Sequence, residues 1–451
     1  MDRLILEMAT WRSLDRQFRA AAPLESGAFF LVRPGQIGAS TRLLASTVFL
    51  SPDGGWEEAS AHRLTPTGSW LSLVLGEALR LGTGIGFIHS HPDAAHPPEL
   101  SALDLETSRG WAHSFSKSAP GPFVSLVWSS GHAAGVWFER GDPRPRELGA
   151  IQAAGDGGVR SLIANDELRA ADIDDRQSRA LTPQGNQTVR RLDIAVVGAG
   201  GTGSAVADML ARAGVRRVTV IDPDGLDTSS NLRRIVGSRI EHLAANTAKV
   251  QIAAEHVAQL GLNTNIRPLP VDVRSRRAAE ALLESDLVIN TTDTHSSRAF
   301  LNQVAYQYWV PVVDVGVRIG AARGGGVTGM PAEVRSLFAD TGCLWCRGVL
   351  DSRRIREENL PAAERTSLAR EGYVQGVGDP EPSLGALNAF AAAFAVITAL
   401  KAVLEATVPS WAILDPWDIY GLVGKSIPDP NCVCAAWRGM GDAAPLGFLP
   451  G

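Results

Sequence analysis

The sequence predicts an α/β protein of two domains, an N-terminal α+β domain and a C-terminal domain built on a parallel sheet. Its 451 residues exceed the usual size of one domain. Short β-like runs surround one helical segment up to about residue 140, whereas strands and helices alternate from about Asp166 onward, as in a parallel sheet. Between these stretches Gly, Pro and charged residues dominate. We therefore expect domains at 1–140 and 166–451, joined by a linker at 141–165.

Composition and charge exclude several functional classes. With 45% hydrophobic residues and a mean hydropathy of +0.01, the chain has ample apolar surface for folded cores. A net charge of −5 argues against nucleic-acid binding, which needs a basic field. The N-terminus has no apolar signal core, and 4 cysteines are too few for a disulfide scaffold. We therefore expect a cytoplasmic protein.

One uncharged stretch, residues 382–400, approaches the length of a membrane span. It is rich in Ala and contains Asn388 and Thr398, and Lys401 follows at once. These features favour a buried core or subunit-interface helix, so no membrane anchor is expected.

Three apolar runs predict strands in the N-terminal domain, at Ala28–Val32, 84–89 and Phe123–Trp128. A helical segment, Ser69–Leu81, lies between the first two strands. The second strand leads into His89-Ser90-His91, and residues two apart on a strand project from one face, so both imidazoles can reach one metal. Ser101 suits the start of a helix, with Asp104 on the same side three residues later. Two His and one carboxylate leave the fourth zinc position open to water, which is the catalytic arrangement. The alternative is two surface histidines beside a turn.

This pattern, with Glu25 in an upstream Leu-Glu-Ser-Gly-Ala-Phe-Phe segment, resembles the JAB/JAMM metalloprotease family, whose members cleave peptide or isopeptide bonds after the C-terminus of ubiquitin-like proteins. The resemblance implies that His89, His91 and Asp104 hold zinc. It makes Glu25 the general base on the bound water and Ser101 a group that stabilises the oxyanion. The gap between the second histidine and Asp104 is longer than the family pattern. Asp93 lies in this gap and is the alternative third ligand, whereas His96 is expected to be a loop residue.

The C-terminal domain opens with a nucleotide-type turn. A strand at Leu192–Val197 precedes Gly198-Ala199-Gly200-Gly201-Thr202-Gly203 and an Ala-rich helix, and the next strand, Arg217–Ile221, ends at Asp222. Glycines let the backbone approach phosphate, the helix N-terminus favours its charge, and Asp222 can bind ribose hydroxyls. Taken alone, this turn points first to NAD or FAD.

The residues that follow favour a triphosphate instead. Asn231, Arg234 and Lys249 come after the second strand, and a strand at 286–290 leads to Asp293. Cations and acidic groups around one phosphate cradle suit ATP with Mg²⁺. Scattered surface charges are the alternative.

The combination resembles the ThiF/MoeB family and the adenylation domains of ubiquitin-activating enzymes, from about residue 170 to 435. The resemblance implies that Asp222 and four glycines of the turn bind ATP. These glycines are Gly198, Gly200, Gly201 and Gly203. It places Asn231, Arg234 and Lys249 on the phosphates and Asp293 at the Mg²⁺/adenylate site. An Arg-Gln element at Asp175-Arg176-Gln177 implies that Arg176 reaches the neighbouring subunit's ATP in a homodimer. Arg233-Arg234-Ile235 departs from the usual Asn-Arg-Gln but keeps Arg234.

All 4 cysteines lie late in the chain, as Cys343-x-x-Cys346 and Cys432-x-Cys434. Two close pairs predict a structural Cys₄ zinc site, which the ThiF/MoeB family also carries, although its second pair is usually C-x-x-C. If all four bind zinc, none can take an activated protein as a thioester. Without zinc, Cys343 or Cys346 becomes a candidate nucleophile.

The leading hypothesis is a bifunctional enzyme for a ubiquitin-like protein: zinc-dependent cleavage at its C-terminus, or of its conjugates, and ATP-dependent adenylation of its C-terminal carboxylate. In this hypothesis the acceptor is a protein lysine or the cysteine of a partner such as a conjugating enzyme. The alternative is activation and trimming of a sulfur-carrier protein for sulfur transfer. Two further readings are an inactive metalloprotease that acts as a docking domain and, least favoured, an NAD oxidoreductase.

Overall fold

The computed structural model describes residues 1–36, 38–60, 63–92, 97–163, 172–322, 325–361, 363–365, 367, 382–404 and 407–447. The chain forms two compact units. The first comprises Met1–Leu168 with Gln307–Trp309 and Arg438–Pro445, and the second comprises Arg169–Tyr306, Val310–Trp437 and Leu446–Gly451.

The first unit is built on a mixed nine-stranded sheet in the order β11-β10-β1-β3-β2-β6-β7-β8-β9, and β4 and β5 form a separate hairpin. Its strands and helices, in chain order, are β1 (Arg3–Glu7), α1 (Met8–Ala21), β2 (Gly27–Gln36), β3 (Thr41–Leu50), β4 (Trp56–Ala59), β5 (Leu64–Pro66), α2 (Gly68–Leu81), β6 (Gly84–Ser90), α3 (Ala102–Ser116), β7 (Phe123–Ser129), β8 (His132–Phe138), β9 (Arg146–Glu147), β10 (Ala150–Gly155) and β11 (Gly158–Ser161).

Helices cover both faces of this sheet. Because alternate strand residues point to opposite faces, Phe30 of β2 packs in one core with Trp11 and Phe18 of α1. Its neighbour Phe29 packs in a second core with Trp70 of α2 and residues of α3. Phe87 of β6 belongs to this second core. Because alternate residues of a strand share a face, His89 and His91 approach the same side, where α3 lies.

The predicted linker at 141–165 is wrong over its described part. Strands β9, β10 and β11 belong to the sheet, and β10 pairs in parallel with β1 from Arg3 to Glu7. Ile151 and Ala153 are buried in the core shared with α1. The Gly, Pro and charge in this stretch therefore mark tight turns between short strands.

The first unit also takes in residues that the sequence placed in the C-terminal domain. The guanidinium of the buried Arg42 donates to the backbone carbonyls of Tyr308 and Trp309, at 2.8 and 2.9 Å. The Tyr308 hydroxyl in turn donates to Asp442 at 3.0 Å. The predicted boundary between the domains therefore missed two short later segments, because contacts so distant in sequence leave no local pattern.

The second unit contains an eight-stranded sheet in the order β14-β13-β12-β15-β16-β19-β20-β21. The first five strands are parallel and the last three antiparallel. Its elements are α4 (Asp175–Val189), β12 (Asp193–Val197), α5 (Gly201–Arg212), β13 (Arg217–Ile221), α6 (Ile240–Ala244), α7 (Lys249–Gln259), β14 (Asn265–Leu269), α8 (Arg276–Glu284), β15 (Leu287–Asn290), α9 (His295–Gln307), β16 (Val312–Val317), β17 (Gly320–Ala321), β18 (Val327–Gly329), β19 (Ala332–Leu337), α10 (Ser352–Glu358), α11 (Gly385–Leu404), β20 (Trp411–Asp415), β21 (Tyr420–Gly424) and α12 (Val433–Trp437).

Helix α11 corresponds to the uncharged stretch noted in the sequence. Within the described residues it is the one helix long and apolar enough to cross a membrane. Ala391, Ala395 and Ala399 are buried in the main core of the second unit, beside residues of α5 and β12. The small Ala side chains let α11 pack closely against the sheet, which accounts for the composition of this helix.

We expect Gly86→Ala to destabilise the first unit. A Cβ at Gly86 would lie 2.1 Å from a ring carbon of Phe30, which is fully buried and cannot retreat. Overpacking of this kind costs about 1–3 kcal/mol. The matched control is Gly110→Ala on an exposed turn of α3, where a Cβ meets nothing within 4 Å and helix propensity raises stability by up to about 1 kcal/mol. Calorimetric unfolding of both variants checks this, and equal unfolding temperatures would contradict it.

Candidate functional site

The two histidines and Asp104 form a compact cluster in the first unit. The Nε2 atoms of His89 and His91 lie 3.1 Å apart. Carboxylate oxygens of Asp104 lie 3.2 Å from Nε2 of His89 and 3.6 Å from Nε2 of His91. Ligands bound at about 2.0–2.2 Å to one tetrahedral ion are roughly 3.3–3.6 Å apart. The distance to His89 involves Oδ1 of Asp104 and the distance to His91 involves Oδ2, and one ligand atom from each of the three residues lies within 4.8 Å of the other two, so together they could hold one metal ion.

Strand β6 and the first turn of α3 position this cluster. His89 lies in β6, and His91 comes directly after its last residue, where the His91 N–H donates to the Trp128 carbonyl at 2.8 Å. Ser101 caps α3. The Ser101 hydroxyl accepts from the Asp104 backbone N–H at 3.1 Å, and the Asp104 carboxylate accepts from the Ser101 N–H at 2.8 Å. This reciprocal capping box fixes the carboxylate toward the histidines. Burial opposes its charge, but hydrogen bonds from His89 and Ser101 hold the pKa of Asp104 well below its usual range.

The electrostatics of the histidines favour a bound cation. Burial, reinforced by the neighbouring His89, lowers the pKa of His91 and so favours the neutral imidazole that can bind a metal. Nε2 of each histidine and the carboxylate of Asp104 converge on one point, where a proton or a metal ion between them is favourable. Asp93, the alternative third ligand, and His96 lie outside the described residues.

Glu25 and Ser101 line the same cavity, of about 800 Å³, as the cluster. The segment around Glu25 is fixed to β6, because Ser90 lies between the two histidines and exchanges two hydrogen bonds with Ser26: Ser26 N–H to Ser90 Oγ at 2.9 Å, and Ser90 N–H to the Ser26 carbonyl at 2.8 Å. The backbone N–H of Glu25 donates to Ser60 at 3.0 Å. Sequence reasoning missed Ser26 and Ser90, since serines 64 residues apart carry no local signal.

The rest of the cavity wall combines apolar and polar side chains. The apolar ones are Leu64, Pro66, Phe87, Pro92, Leu103 and Trp111, and the polar ones are Arg63, Thr65, Thr107, Ser108 and Ser125. Clefts with apolar walls and convergent polar groups are the usual form of a ligand-binding site.

The four cysteines of the second unit converge as the sequence predicts, and their Sγ atoms all lie within 4.8 Å of one another. Cys343 lies 3.6 Å from Cys432, and Cys346 lies 3.6 Å from Cys434. Sulfurs bound at about 2.3 Å to a tetrahedral zinc are roughly 3.8 Å apart, which these distances approach. The second pair therefore closes a Cys₄ site even though it is C-x-C.

Backbone donors surround these sulfurs. The N–H of Cys346 donates to the Cys343 Sγ, and the N–H of Asp429 donates to the Cys346 Sγ, both at 3.4 Å. Burial opposes the thiolate of Cys346, but the Asp429 N–H helps to lower its pKa. Such N–H donors stabilise thiolates in structural metal sites.

The glycine turn lies at the carboxyl edge of the parallel sheet in the second unit. Strand β12 is followed on one side by β13 and on the other by β15, so the strand order reverses here, and such switch points are where open α/β sheets bind ligands. Gly198 has a φ of +92°, and a Cβ at Gly203 would lie 1.8 Å from the Gly198 carbonyl oxygen. Only glycine fits these two positions. Gly200 precedes α5, and a Cβ at Gly201 would lie 2.2 Å from Asn388 of α11.

Asp222 supports this turn from within. Its carboxylate accepts from the backbone N–H groups of Ala199 and Asp224, at 2.6 and 2.8 Å. Burial raises the pKa of Asp222. The predicted ribose ligand thus already holds the glycine turn and the end of β13 together, and the remaining lone pairs of its oxygens stay available to a hydroxyl.

The predicted phosphate ligands are held by neighbours. Asn231 is buried and accepts from Nε of Arg234 at 2.9 Å. A Cβ at Gly201 would lie 3.2 Å from the Cβ of Arg234, so Arg234 lies beside the turn. The Lys249 ammonium donates to Asp224 at 2.8 Å.

Asp293 is exposed in the loop between β15 and α9. Its neighbour Thr291 donates through Oγ1 to the carbonyls of Val197 and Gly198, at 2.9 and 3.1 Å, which ties this loop to the glycine turn. Arg176 is exposed on α4. Its contact with a neighbouring subunit stays a prediction.

Residues 175–419 match the family model described as the ThiF family. This chain belongs to the ThiF family. The match covers the glycine turn, Arg234, Asp293 and the first cysteine pair, so the dinucleotide interpretation of the glycine turn gives way to an adenylation domain. The histidine cluster lies before the matched residues.

Several curated relatives are named as adenylyltransferases. The sulfur carrier protein adenylyltransferase of Thermus thermophilus is 33% identical over 131 residues, which cover 29% of this chain and 47% of the relative. The adenylyltransferase and sulfurtransferase UBA4 of Meyerozyma guilliermondii is 33% identical over 118 residues, which cover 26% of this chain and 27% of the relative. The matched stretches thus span less than half of either relative.

A solved structure, the microcin C7 biosynthetic enzyme MccB in complex with N-formylated MccA, has a TM-score of 0.46 at 16% identity and covers 60% of this chain and 77% of that chain. A likeness at this TM-score carries no argument about function.

We expect Cys346→Ser to remove one equivalent of zinc per chain and to lower the unfolding temperature of the second unit, because three thiolates hold the ion less tightly. The matched control is Val433→Ala, which changes a residue between two of the cysteines and leaves all four sulfurs in place. Elemental analysis of the purified proteins measures the difference. Equal zinc content in wild type and Cys346→Ser would show that these sulfurs hold no zinc.

Proposed function

We propose that the second unit adenylates the C-terminal carboxylate of a sulfur-carrier or other ubiquitin-like protein. The ThiF match over residues 175–419 carries this proposal. The names of the relatives favour a sulfur carrier as substrate, since the Thermus thermophilus protein is a sulfur carrier protein adenylyltransferase. A SUMO-activating enzyme subunit of Dictyostelium discoideum, 32% identical over 148 residues, supports the wider ubiquitin-like class.

The chemistry joins a carboxylate to AMP. A carboxylate oxygen of the carrier protein attacks the α-phosphorus of ATP, a new P–O bond forms, and the bond to the β-phosphate oxygen breaks to release pyrophosphate. The backbone at Gly198, Gly200, Gly201 and Gly203 is proposed to cradle the phosphates, and Asp222 to bind the ribose. Arg234 and Lys249 are proposed to neutralise the charge on the leaving pyrophosphate.

Asp293 completes this proposed site. It is proposed to hold Mg²⁺, which supplies charge neutralisation at the phosphates when bound. In the free protein Lys249 is paired with Asp224 at 2.8 Å. Binding of ATP therefore requires the ammonium to exchange this partner for phosphate or to share it.

The proposed acceptor of the acyl group lies outside this chain. The chain has 4 cysteines, and the Cys₄ cluster brings all of them together. With zinc bound, none is free to form a thioester. Sulfide would attack the acyl carbon, form a C–S bond and release AMP, and the sulfurtransferase and sulfur carrier names of the relatives favour this acceptor over an internal cysteine.

For the first unit we propose a JAB/JAMM-type zinc peptidase that trims the same kind of tail. The fit of His89, His91 and Asp104 to one tetrahedral face, in a cavity that Glu25 and Ser101 also line, supports it. Zinc would supply a water of lowered pKa. Glu25 would take the proton of that water and pass it to the leaving amine, and Ser101 would donate to the oxyanion. The competing hypothesis for the first unit is an inactive metalloprotease that acts as a docking domain.

The two proposed activities work in series on a precursor. Trimming of a precursor would expose a C-terminal carboxylate, and adenylation would consume that carboxylate. Homodimerisation through the second unit, with Arg176 reaching the partner's ATP, belongs to the same proposal.

We expect Arg234→Ala and Asp293→Asn each to lower ATP–pyrophosphate exchange by about 10²-fold or more, because each removes a charge that the transition state needs. The assay uses labelled pyrophosphate, Mg²⁺, ATP and the sulfur carrier protein of Thermus thermophilus, with a SUMO protein as second substrate. Arg233→Ala is the matched control, since this neighbouring arginine is exposed. Unchanged exchange in Asp293→Asn would count against the proposal. So would a wild-type protein that catalyses no exchange with either substrate.

We expect Glu25→Gln to keep the zinc of the first unit and to lose cleavage by about 10²–10⁴-fold, because the general base is gone while the ligands remain. His91→Ala should lose both zinc and cleavage. The substrate is a sulfur carrier protein extended at its C-terminus by a short fluorescent peptide, and zinc is measured in parallel. Loss of zinc in Glu25→Gln would make Glu25 a ligand, and cleavage by His91→Ala would exclude a zinc peptidase at this site.

A further inference from the structure

A chain of buried polar groups leads to the loop that carries Asp293. It starts at Asp314 of β16, which is fully buried. The Asp314 carboxylate lies 2.6 Å from Nη1 of Arg335 and 3.4 Å from Nε of Arg298. It also accepts from Nδ2 of Asn290, the last residue of β15, at 2.6 Å.

Asn290 passes this constraint to the loop. Its Oδ1 accepts from the backbone N–H of Thr292 at 3.2 Å and from the Thr292 hydroxyl at 2.8 Å. A carboxylate only accepts, so Asp314 forces the amide of Asn290 to present its NH₂ inward and its oxygen toward Thr292. The orientation of this one amide thus depends on the charge of Asp314.

The far side of the loop is anchored as well. The Glu358 carboxylate accepts from the backbone N–H groups of His295 and Ser296, at 2.9 and 2.7 Å, and so caps the start of α9. The exposed Asp293 therefore lies between Thr292, which is hydrogen-bonded to Asn290, and the capped N-terminus of α9.

A contribution to folding stability alone does not explain the buried ion pairs of Asp314. A buried ion pair is often no more stabilising than apolar residues of the same volume, because two charges must leave water. Here the buried charge is also connected by hydrogen bonds to the residue beside Asp293. A chain of this kind restricts where the neighbouring carboxylate can lie.

We infer that Asp314, acting through Asn290 and Thr292, is a positioning residue that holds Asp293 where it can bind the metal of a metal–nucleotide complex. This inference rests on the proposed function, since it takes Asp293 as the metal ligand. Asp314 itself is buried in the sheet, where its carboxylate contacts Arg335, Arg298 and Asn290. Partners that orient a metal ligand typically contribute 10- to 100-fold to metal affinity.

The test measures Mn²⁺ binding by electron paramagnetic resonance, with the full chain and α,β-methylene ATP, so that no carrier protein is needed. Thr292→Val removes the hydroxyl donor and keeps the shape, and we expect it to raise the Mn²⁺ dissociation constant by about 10-fold or more. Thr292→Ser keeps the donor and should stay within about 2-fold of wild type. Asp314→Asn should act in the same direction as Thr292→Val, because an asparagine no longer dictates the orientation of Asn290.

Asp193→Asn is the matched control for lost stability. Asp193 is also buried and paired with two arginines, Arg216 and Arg217, each at 2.6 Å, but it lies at the amino end of β12, opposite the glycine turn. We expect it to lower the unfolding temperature without changing Mn²⁺ binding. A shift in Mn²⁺ binding as large as that of Asp314→Asn would overturn the inference.

Two further outcomes separate the inference from the proposed function. Wild-type binding of Mn²⁺ with nucleotide, together with unchanged binding in Thr292→Val, would overturn the positioning role alone. Absence of binding in the wild type would overturn the proposed function and the positioning role with it.

Discussion

The contact between Gly198, Gly203 and Thr291 is the constraint on which the second unit's site depends. The carbonyl of Gly198 lies so close to Gly203 that no side chain fits between them, and the Thr291 hydroxyl donates to that same carbonyl at 3.1 Å. This contact brings the turn after β12 against the loop after β15. The N-terminal amides of α5 and the loop carrying Asp293 therefore face one edge of the sheet, where an anionic ligand meets both a helix dipole and a metal ligand.

In the first unit, as in the second, the end of a strand and the start of a helix form the site, but the side chains differ. The end of a strand supplies two groups by its alternation, and the first turn of a helix supplies a third through its capping box. The end of β6 and the capping box of α3 set the arrangement of His89, His91 and Asp104. These three side chains could hold a metal ion, and a cavity of about 800 Å³ lies beside them.

Much of this could be predicted from local sequence patterns. The strand at Arg217–Ile221 has the bounds that the sequence predicts, and Ser101 caps α3 as expected. The Cys₄ cluster could be predicted because the two cysteines of each pair are close in sequence, with a spacing typical of zinc sites. The family match supports the adenylation domain.

The rest depended on contacts between residues far apart in the chain. Strands β9 to β11 were predicted as a linker, because glycines and prolines at their turns hid the short apolar alternation of Ile151 and Ala153. Asn388 looked like a polar exception in an apolar helix, yet it packs against Gly201. Asp314 gave no signal, since its partners Arg298 and Arg335 become neighbours only when the sheet forms.

The proposed adenylation requires a carboxylate of a carrier protein to attack the α-phosphorus of ATP at the second unit's site. Isotope transfer tests this attack directly. A sulfur carrier protein labelled with ¹⁸O in its C-terminal carboxylate is incubated with the chain, ATP, Mg²⁺ and sulfide, and the AMP released is analysed by mass spectrometry. We predict one carboxylate ¹⁸O in the phosphate of AMP. AMP without label, or release of ADP and phosphate in place of AMP and pyrophosphate, would contradict it.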